Sequence, residues 1–107
     1  MTTAPTLIPT TWNLLHEAVA RRRAVRATYH DRIRIICPHA LGWKNGRAKA
    51  LVYQTAILGP HDHNPRGWRS LLIDEIHHAT LSDNPWTSAE NFTPNTTGID
   101  TLAVAIT

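Results

Sequence analysis

Cysteine is nearly absent from this sequence. Cys37 is the single one, so no disulfide can form within the chain. No apolar run approaches the roughly 18 residues that a membrane-spanning helix needs, and the first residues lack the basic-then-apolar pattern of a secretory signal. These absences predict a protein of the reducing cytoplasm that has no membrane partner.

The sequence also lacks a large excess of positive or negative charge. Eleven basic and 8 acidic residues leave a formal net charge of +3 at pH 7. This mild bias permits an anionic partner without requiring one. A length of 107 residues predicts a single domain with one modest core.

The motifs of several enzyme classes are missing. The glycines fit neither a phosphate-binding loop nor a dinucleotide-binding fingerprint. Ser70 lies in a predicted strand and not on the Gly-x-Ser-x-Gly turn that presents a nucleophilic serine. We therefore expect no catalytic residue and no cofactor.

One helix is predicted near the start of the chain. Residues 1–10 are rich in threonine and proline and are expected to form a flexible arm. Thr10 or Thr11 can cap the helix, because a threonine hydroxyl accepts a hydrogen bond from a free N–H of the first turn. Apolar residues then recur with helical period over 12–22.

Beyond the helix the period of the pattern changes to two. Residues 25–29 and residues 32–35 alternate between apolar and polar side chains, and His30-Asp31 between them is typical of a tight turn. These features predict a β-hairpin. Pro38 has no backbone N–H to donate, so it is expected to end the second strand or to mark a sheet edge.

Further strands are predicted downstream. Asn45-Gly46 is the strongest turn signal in the sequence, and residues 59–67 are almost all turn formers. The strands are expected over residues 49–55, 68–74 and 75–81.

Several short strands after one helix predict an α+β domain over residues 11–81, with a small, strongly bent antiparallel sheet or barrel. Residues 82–107 are expected to form an irregular extension. Within it, residues 101–106 alternate, which predicts either a closing edge strand or a short helix.

The order of these segments is distinctive, although no single one is. In sequence they are the helix with a basic end over 15–23, Val25-Arg26-Ala27-Thr28-Tyr29, Arg32-Ile33-Arg34, Pro38-His39-Ala40-Leu41-Gly42, Asn45-Gly46, Leu51-Val52-Tyr53-Gln54, the 59–67 loop, Trp68-Arg69 and Ile73-Asp74-Glu75-Ile76. This order resembles the WYL domain family, above all its short, free-standing bacterial members. The Trp-Tyr-Leu triplet that names the family is absent from its expected place near Ala48-Lys49-Ala50.

The resemblance implies an Sm-like or SH3-like small β-barrel packed on its N-terminal helix. WYL domains are generally regarded as ligand-sensing modules of transcription regulators, often for nucleotides or nucleic acid. The resemblance therefore implies a non-enzymatic module whose partner is an anionic small ligand or single-stranded nucleic acid.

Basic residues at strand spacing are the main candidates for binding such a ligand. Arg32 and Arg34 are two residues apart, so their side chains share one face of a strand. Together with Arg26 and Arg69 they can form a basic groove that grips phosphate. The alternative interpretation is a solvated face with scattered arginines.

Aromatic and amide side chains complete the predicted site. Tyr53 can stack on a base, although an aromatic in an apolar strand is more often part of the core. Gln54 beside it can read a base edge. The predicted ligand-binding residues are Arg26, Arg32, Arg34, His39, Tyr53, Gln54 and Arg69.

Two other functions stay open on the sequence. His61 and His63, with His77 or His78, could hold a metal ion in a hydrolase, although their spacing matches no known metal motif. The chain could also be an interaction module that acts as a homodimer or with an operon-encoded partner, through an exposed sheet edge.

Overall fold

The computed structural model describes residues 9–59, 66–89 and 99–106. Within these ranges the elements are α1 (Pro9–Arg21), β1 (Ala24–Tyr29), β2 (Arg32–Lys44), β3 (Arg47–Ile57), β4 (Gly67–Leu72), a 3-10 helix (Ile73–Glu75), β5 (Ile76–Ser82) and β6 (Thr101–Ala105). Apart from its last two residues, the predicted arm over 1–10 lies outside the described residues, as does most of the 59–67 loop.

The strands form one antiparallel sheet in the order β4-β3-β2-β1-β5, and β6 pairs with the second half of β2. The predicted α+β class, with one helix on a small antiparallel sheet, is confirmed. Closure into a barrel is not observed. It would require the end strands β4 and β5 to pair with each other, and in the described part of the chain they do not.

The two end strands nevertheless approach each other, because only the 3-10 helix separates them along the chain. The backbone N–H of Leu72 at the end of β4 donates to the Tyr29 hydroxyl on β1, over 3.1 Å. On the other side of the 3-10 helix, Ile76 pairs with Tyr29. The prediction of continuous strand over 68–74 is thus wrong at its end, where the chain must turn from one edge of the sheet to the other.

Both predicted tight turns are confirmed. His30 and Asp31 have φ values of 50° and 62°, and Asn45 and Gly46 have values of 52° and 79°. Two consecutive positive φ values match the right-handed twist of a hairpin. Asparagine, aspartate and glycine tolerate this region better than other residues.

The expectation that Pro38 ends its strand is wrong, because β2 continues to Lys44. The alternative, that it marks a sheet edge, agrees with the described pairing on one side of β2, which reaches Ile36 with β1 and resumes at Ala40 with β6. A β-bulge follows the proline at His39. It lies between Pro38 and Ala40, which both pair with β3. Pro38 also lies between the part of β2 that pairs with β1 and the part that pairs with β6. A missing N–H is tolerated at such irregular positions.

Helix α1 covers one face of the sheet, which we call the core face. Leu15, Ala18 and Val19 of the helix are buried there against β1, β2 and β3 side chains that include Ile36 and Val52. Neither α1 nor the 3-10 helix, in the part of the chain that is described, has the length and apolar character to cross a membrane.

Strand β6 fits against β2 only because residue 42 is a glycine. A Cβ atom on Gly42 would collide with the carbonyl oxygen of Thr101 and with Cγ2 of Ile99. We expect Gly42→Ala to detach β6, which hydrogen exchange would detect as faster exchange of the backbone amides over 101–105.

Gly46→Ala provides the matched control. A Cβ there meets no atom, and only the positive φ of 79° opposes it, at a cost of about 1 kcal/mol. If Gly42→Ala left exchange in β6 at the level of this control, the close approach of the two strands would be disproved.

Candidate anion-binding site

Strand register decides which predicted site residues share a face of the sheet. Ala27 pairs with Arg34, and Ile36 pairs with Gln54. Paired residues point to the same side, and Ala27 and Ile36 belong to the core. Arg34 and Gln54 therefore lie on the core face, at the end of the sheet beyond the buried apolar side chains.

The guanidinium group of Arg34 is held at two points. Its Nε donates to the backbone carbonyl of Tyr29 over 3.1 Å, and its Nη1 donates to Oε1 of Gln54 over 3.0 Å. The Tyr29 ring lies beneath it, with 5.5 Å between Cζ and the ring centroid. Because Gln54 is 0% exposed, its amide is a fixed anchor, and the orientation of Arg34 is set before any ligand arrives.

Arg69 is positioned by its own strand. It pairs with Val52 of the core face, and its Nη1 donates to the carbonyl of Trp68 over 3.0 Å. A Cβ on Gly67 would lie 2.8 Å from the same Nη1 atom. Gly67 is also the strand partner of Gln54, so the absence of a side chain at Gly67 leaves room for Arg69 beside the Arg34 anchor.

Arg32 joins these two residues, since it pairs with Tyr29 on the core face. We call Arg32, Arg34 and Arg69 the arginine cluster. Burial and the positive charges of Arg69 and Arg32 lower the pKa of Arg34, while Tyr29 acts in the opposite direction. In the described ranges neither Arg34 nor Arg69 forms an ion pair.

This arrangement is unfavourable without a ligand and favourable with an anion. Like charges that converge in a partly buried place repel one another. A phosphate or carboxylate relieves that repulsion and accepts paired hydrogen bonds from guanidinium groups. The cluster can therefore hold an anion by charge and geometry together.

The remaining predicted site residues lie elsewhere. Arg26 pairs with Ile35, which places it on the opposite side of the sheet, the outer face, and it is exposed there. Tyr53 pairs with Cys37 and Trp68, again on the outer face. The proposed single groove from Arg26 to Arg69 is thus divided by the sheet itself.

His39 is fully buried within an aromatic cluster on the outer face. Its ring stacks on Trp86, with 4.5 Å between centroids, and meets Trp68 edge-on at 4.7 Å. Tyr53 packs edge-on against Trp68 at 5.3 Å. His39 and Tyr53 therefore do not contribute to the arginine cluster.

The segment over 83–89 covers this cluster and is fastened to β2. The indole Nε1 of Trp86 donates to the carbonyl of Pro38 over 3.3 Å, and the N–H of Thr87 donates to the Cys37 sulfur over 3.3 Å. Beside these bonds, Ser88 Oγ lies 2.8 Å from Nε2 of His39.

Titration of His39 is expected to weaken folding in mild acid. Burial lowers the pKa of its ring, a hydrogen bond to the Cys37 carbonyl opposes that effect, and the charge of Arg22 adds to it. The unfolded chain binds this proton near pH 6.5 and the folded chain only at lower pH. Stability is therefore greatest above about pH 6.5 and falls as the pH decreases from there towards the folded pKa.

Urea unfolding of the wild type and of His39→Gln, each between about pH 7.5 and pH 5, would measure this. The wild type should lose more stability than the variant over that window. If the stability of the wild type and that of His39→Gln fell equally over this pH range, the burial of a neutral imidazole would be contradicted.

The metal hypothesis involves His61 and His63 together with His77 or His78. His61 and His63 lie outside the described residues. Within those residues, no three histidine, cysteine or acidic side chains come together in a group that could hold a metal ion.

Sequence reasoning missed three residues that shape these sites. Tyr29 supports Arg34 with its ring, whereas its place in an alternating strand indicates only a core residue. Gly67 was read as a turn residue, and its role depends on the pairing of β3 with β4. Ser88 is 49 residues from His39 along the chain, and no local pattern connects the two.

No family model, no curated protein and no solved structure matches this chain.

Proposed function

We propose that this chain is a ligand-binding module of the WYL type, which binds a nucleotide or single-stranded nucleic acid at the arginine cluster. The observation that carries the proposal is the convergence of Arg34 and Arg69, neither of which forms an ion pair with a carboxylate among the described residues. The ordered resemblance to the WYL family supports it independently. Binding of this kind requires no chemical step at the site.

The arrangement favours a phosphate-bearing ligand over a simple counterion. The Nε–H and one Nη1–H of Arg34 are hydrogen-bonded to the protein. Its remaining N–H groups keep the planar geometry that matches phosphate oxygens. Tyr29 stays under the guanidinium, where its ring stabilises the positive charge. These features support a proposed phosphate position at Arg34, and we expect Arg32 and Arg69 to contact neighbouring phosphates.

A salt-titrated binding assay tests the proposal. Purified protein is titrated against short single-stranded DNA, single-stranded RNA and a panel of nucleotides. Three arginine–phosphate contacts predict that log K falls with log salt at a slope of about −2 for a single strand. Binding that is indifferent to salt, or no binding at low salt, would reject the proposal.

An interaction module is the alternative, and one surface feature favours it. Trp43 on β2 is partly exposed and stacks on Trp12 of α1, with 5.1 Å between ring centroids. Exposed aromatic pairs of this kind are common where proteins meet. Sedimentation of the purified chain distinguishes the two functions, because the interaction module predicts a dimer at micromolar concentration and the ligand-binding module does not require one.

A further inference from the structure

His39 and Ser88 have the hydrogen-bond pattern of an activated nucleophile. The Nδ1 atom of His39 lies 2.7 Å from the backbone carbonyl oxygen of Cys37. A carbonyl oxygen only accepts hydrogen bonds, so Nδ1 carries the proton. In the neutral ring Nε2 then has a lone pair, and the Ser88 hydroxyl at 2.8 Å donates to it.

The opposite orientation would require a doubly protonated ring. Ser88 Oγ also lies 3.2 Å from the carbonyl oxygen of Ala89, and donation there would leave Nε2 to supply a proton of its own. Burial of His39 disfavours that charged form, because it lowers the pKa of the ring. The shorter contact, from the Ser88 hydroxyl to Nε2, is therefore the hydrogen bond that the neutral ring makes.

The His39 ring, which acts as the base, is held in place by its neighbours. Trp86 and Trp68 pack against it, and the Cys37 carbonyl fixes its tautomer and its rotation. In serine hydrolases a buried aspartate performs that last function. A backbone carbonyl fixes the same tautomer here without adding a charge.

Accessibility completes the arrangement. His39 is 0% exposed, whereas Ser88 is exposed. The Ser88 hydroxyl can therefore react with a reagent from solvent, whereas the His39 ring is shielded from water. The ring is neutral at pH 7, the form in which it can accept a proton. Ser88 is also held by the two hydrogen bonds that fasten Trp86 and Thr87 to β2.

We propose that Ser88 is a nucleophile activated by His39, and that it accepts an acyl group from an ester. Ser88 Oγ forms a bond to the carbonyl carbon, and its proton passes to Nε2 of His39. The bond from that carbon to the leaving alcohol oxygen breaks, and the proton on Nε2 passes to this oxygen. Water can then release the acyl group as a carboxylic acid, with His39 again accepting and returning a proton.

A fluorophosphonate probe tests the nucleophile without requiring turnover. Attack by Ser88 forms an O–P bond, displaces fluoride and leaves a stable adduct that peptide mass spectrometry can assign. We expect labelling of Ser88 in the wild type and in Ser70→Ala, which removes another exposed serine. Labelling should be absent in Ser88→Ala and at least about 100-fold slower in His39→Gln. An unlabelled Ser88, or equal rates with and without His39, overturns the proposal.

A second pair of variants keeps the test valid if His39→Gln does not fold. Ser88→Cys places a thiol against Nε2, and Ser70→Cys places one on the exposed surface of β4. A thiol that loses its proton to an imidazole reacts as thiolate at lower pH. At about pH 6.5, iodoacetamide should alkylate the Ser88→Cys thiol about tenfold faster than the Ser70→Cys thiol.

The native thiol gives little background in that experiment, because Cys37 is buried and burial raises its pKa. Equal alkylation rates of the two introduced thiols would show that Ser88 is only a hydrogen-bond partner of a buried histidine, and would overturn the proposal.

Discussion

Arg34→Met is expected to weaken the binding of short single-stranded DNA by about 10- to 100-fold. A hydrogen bond to a charged group contributes about 1.5–3 kcal/mol, and Arg34 is bound to both the backbone and Gln54. Methionine keeps much of the length of the side chain and removes the guanidinium. Fluorescence anisotropy at fixed salt measures the loss.

Arg26→Met is the matched control, because it removes the same charge from the outer face of the same hairpin. It should change affinity by less than about threefold, the level expected of a screened surface charge. Arg69→Met should weaken binding as much as Arg34→Met does, although it leaves the hydrogen bond between Arg34 and Gln54 in place. Equal losses in Arg26→Met and Arg34→Met would mean that only net charge matters and that there is no site.

Leu15→Ala is expected to reduce the free energy of unfolding by about 2–5 kcal/mol. Leu15 is fully buried between α1 and the core face, and truncation there removes apolar contact and leaves a cavity. Small domains have a total stability of about 5–15 kcal/mol, so the variant would lose a large part of it. Urea denaturation followed by circular dichroism gives the value.

Leu102→Ala is the control for this prediction, since it makes the same chemical change at a side chain that is 46% exposed. Its cost should stay below about 1 kcal/mol. If the two leucines were equally sensitive, the packing of α1 on the sheet would be incorrect.

Local signals were sufficient for much of this fold. The hairpin of β1 and β2 followed from alternation and from His30-Asp31, and the next one followed from Asn45-Gly46, because a two-residue turn fixes its own geometry. The α1 helix followed from its apolar period. Each of these features depends on residues only a few positions apart.

Features that depend on distant pairing were not predictable in the same way. Past Pro38, β2 pairs on one side with β6, which lies about 60 residues downstream. Closure of the sheet depends on whether the end strands β4 and β5 pair with each other, which local patterns do not report. A proline in an apolar run predicts a strand end unless those partners are known.

The candidate site shows the same division. Alternation alone places Arg32 and Arg34 on one face. The predicted two-residue turn at His30-Asp31 also sets the register that pairs Ala27 with Arg34, so it already implies that Arg26 lies on the opposite face. The contact of His39 with Ser88 joins segments 49 residues apart, which no strand period reports.

Above all, we propose that an anion binds at the arginine cluster on the core face. Arginine side-chain Nε–Hε resonances in ¹⁵N-labelled protein test it most directly, during titration with short oligo(dT) at low salt. We expect the Arg34 and Arg69 resonances to shift and to saturate together with the Gln54 side-chain amide, while the Arg26 resonance stays unchanged. Shifts of similar size at Arg26 and Arg34, or shifts confined to the outer face, would contradict it.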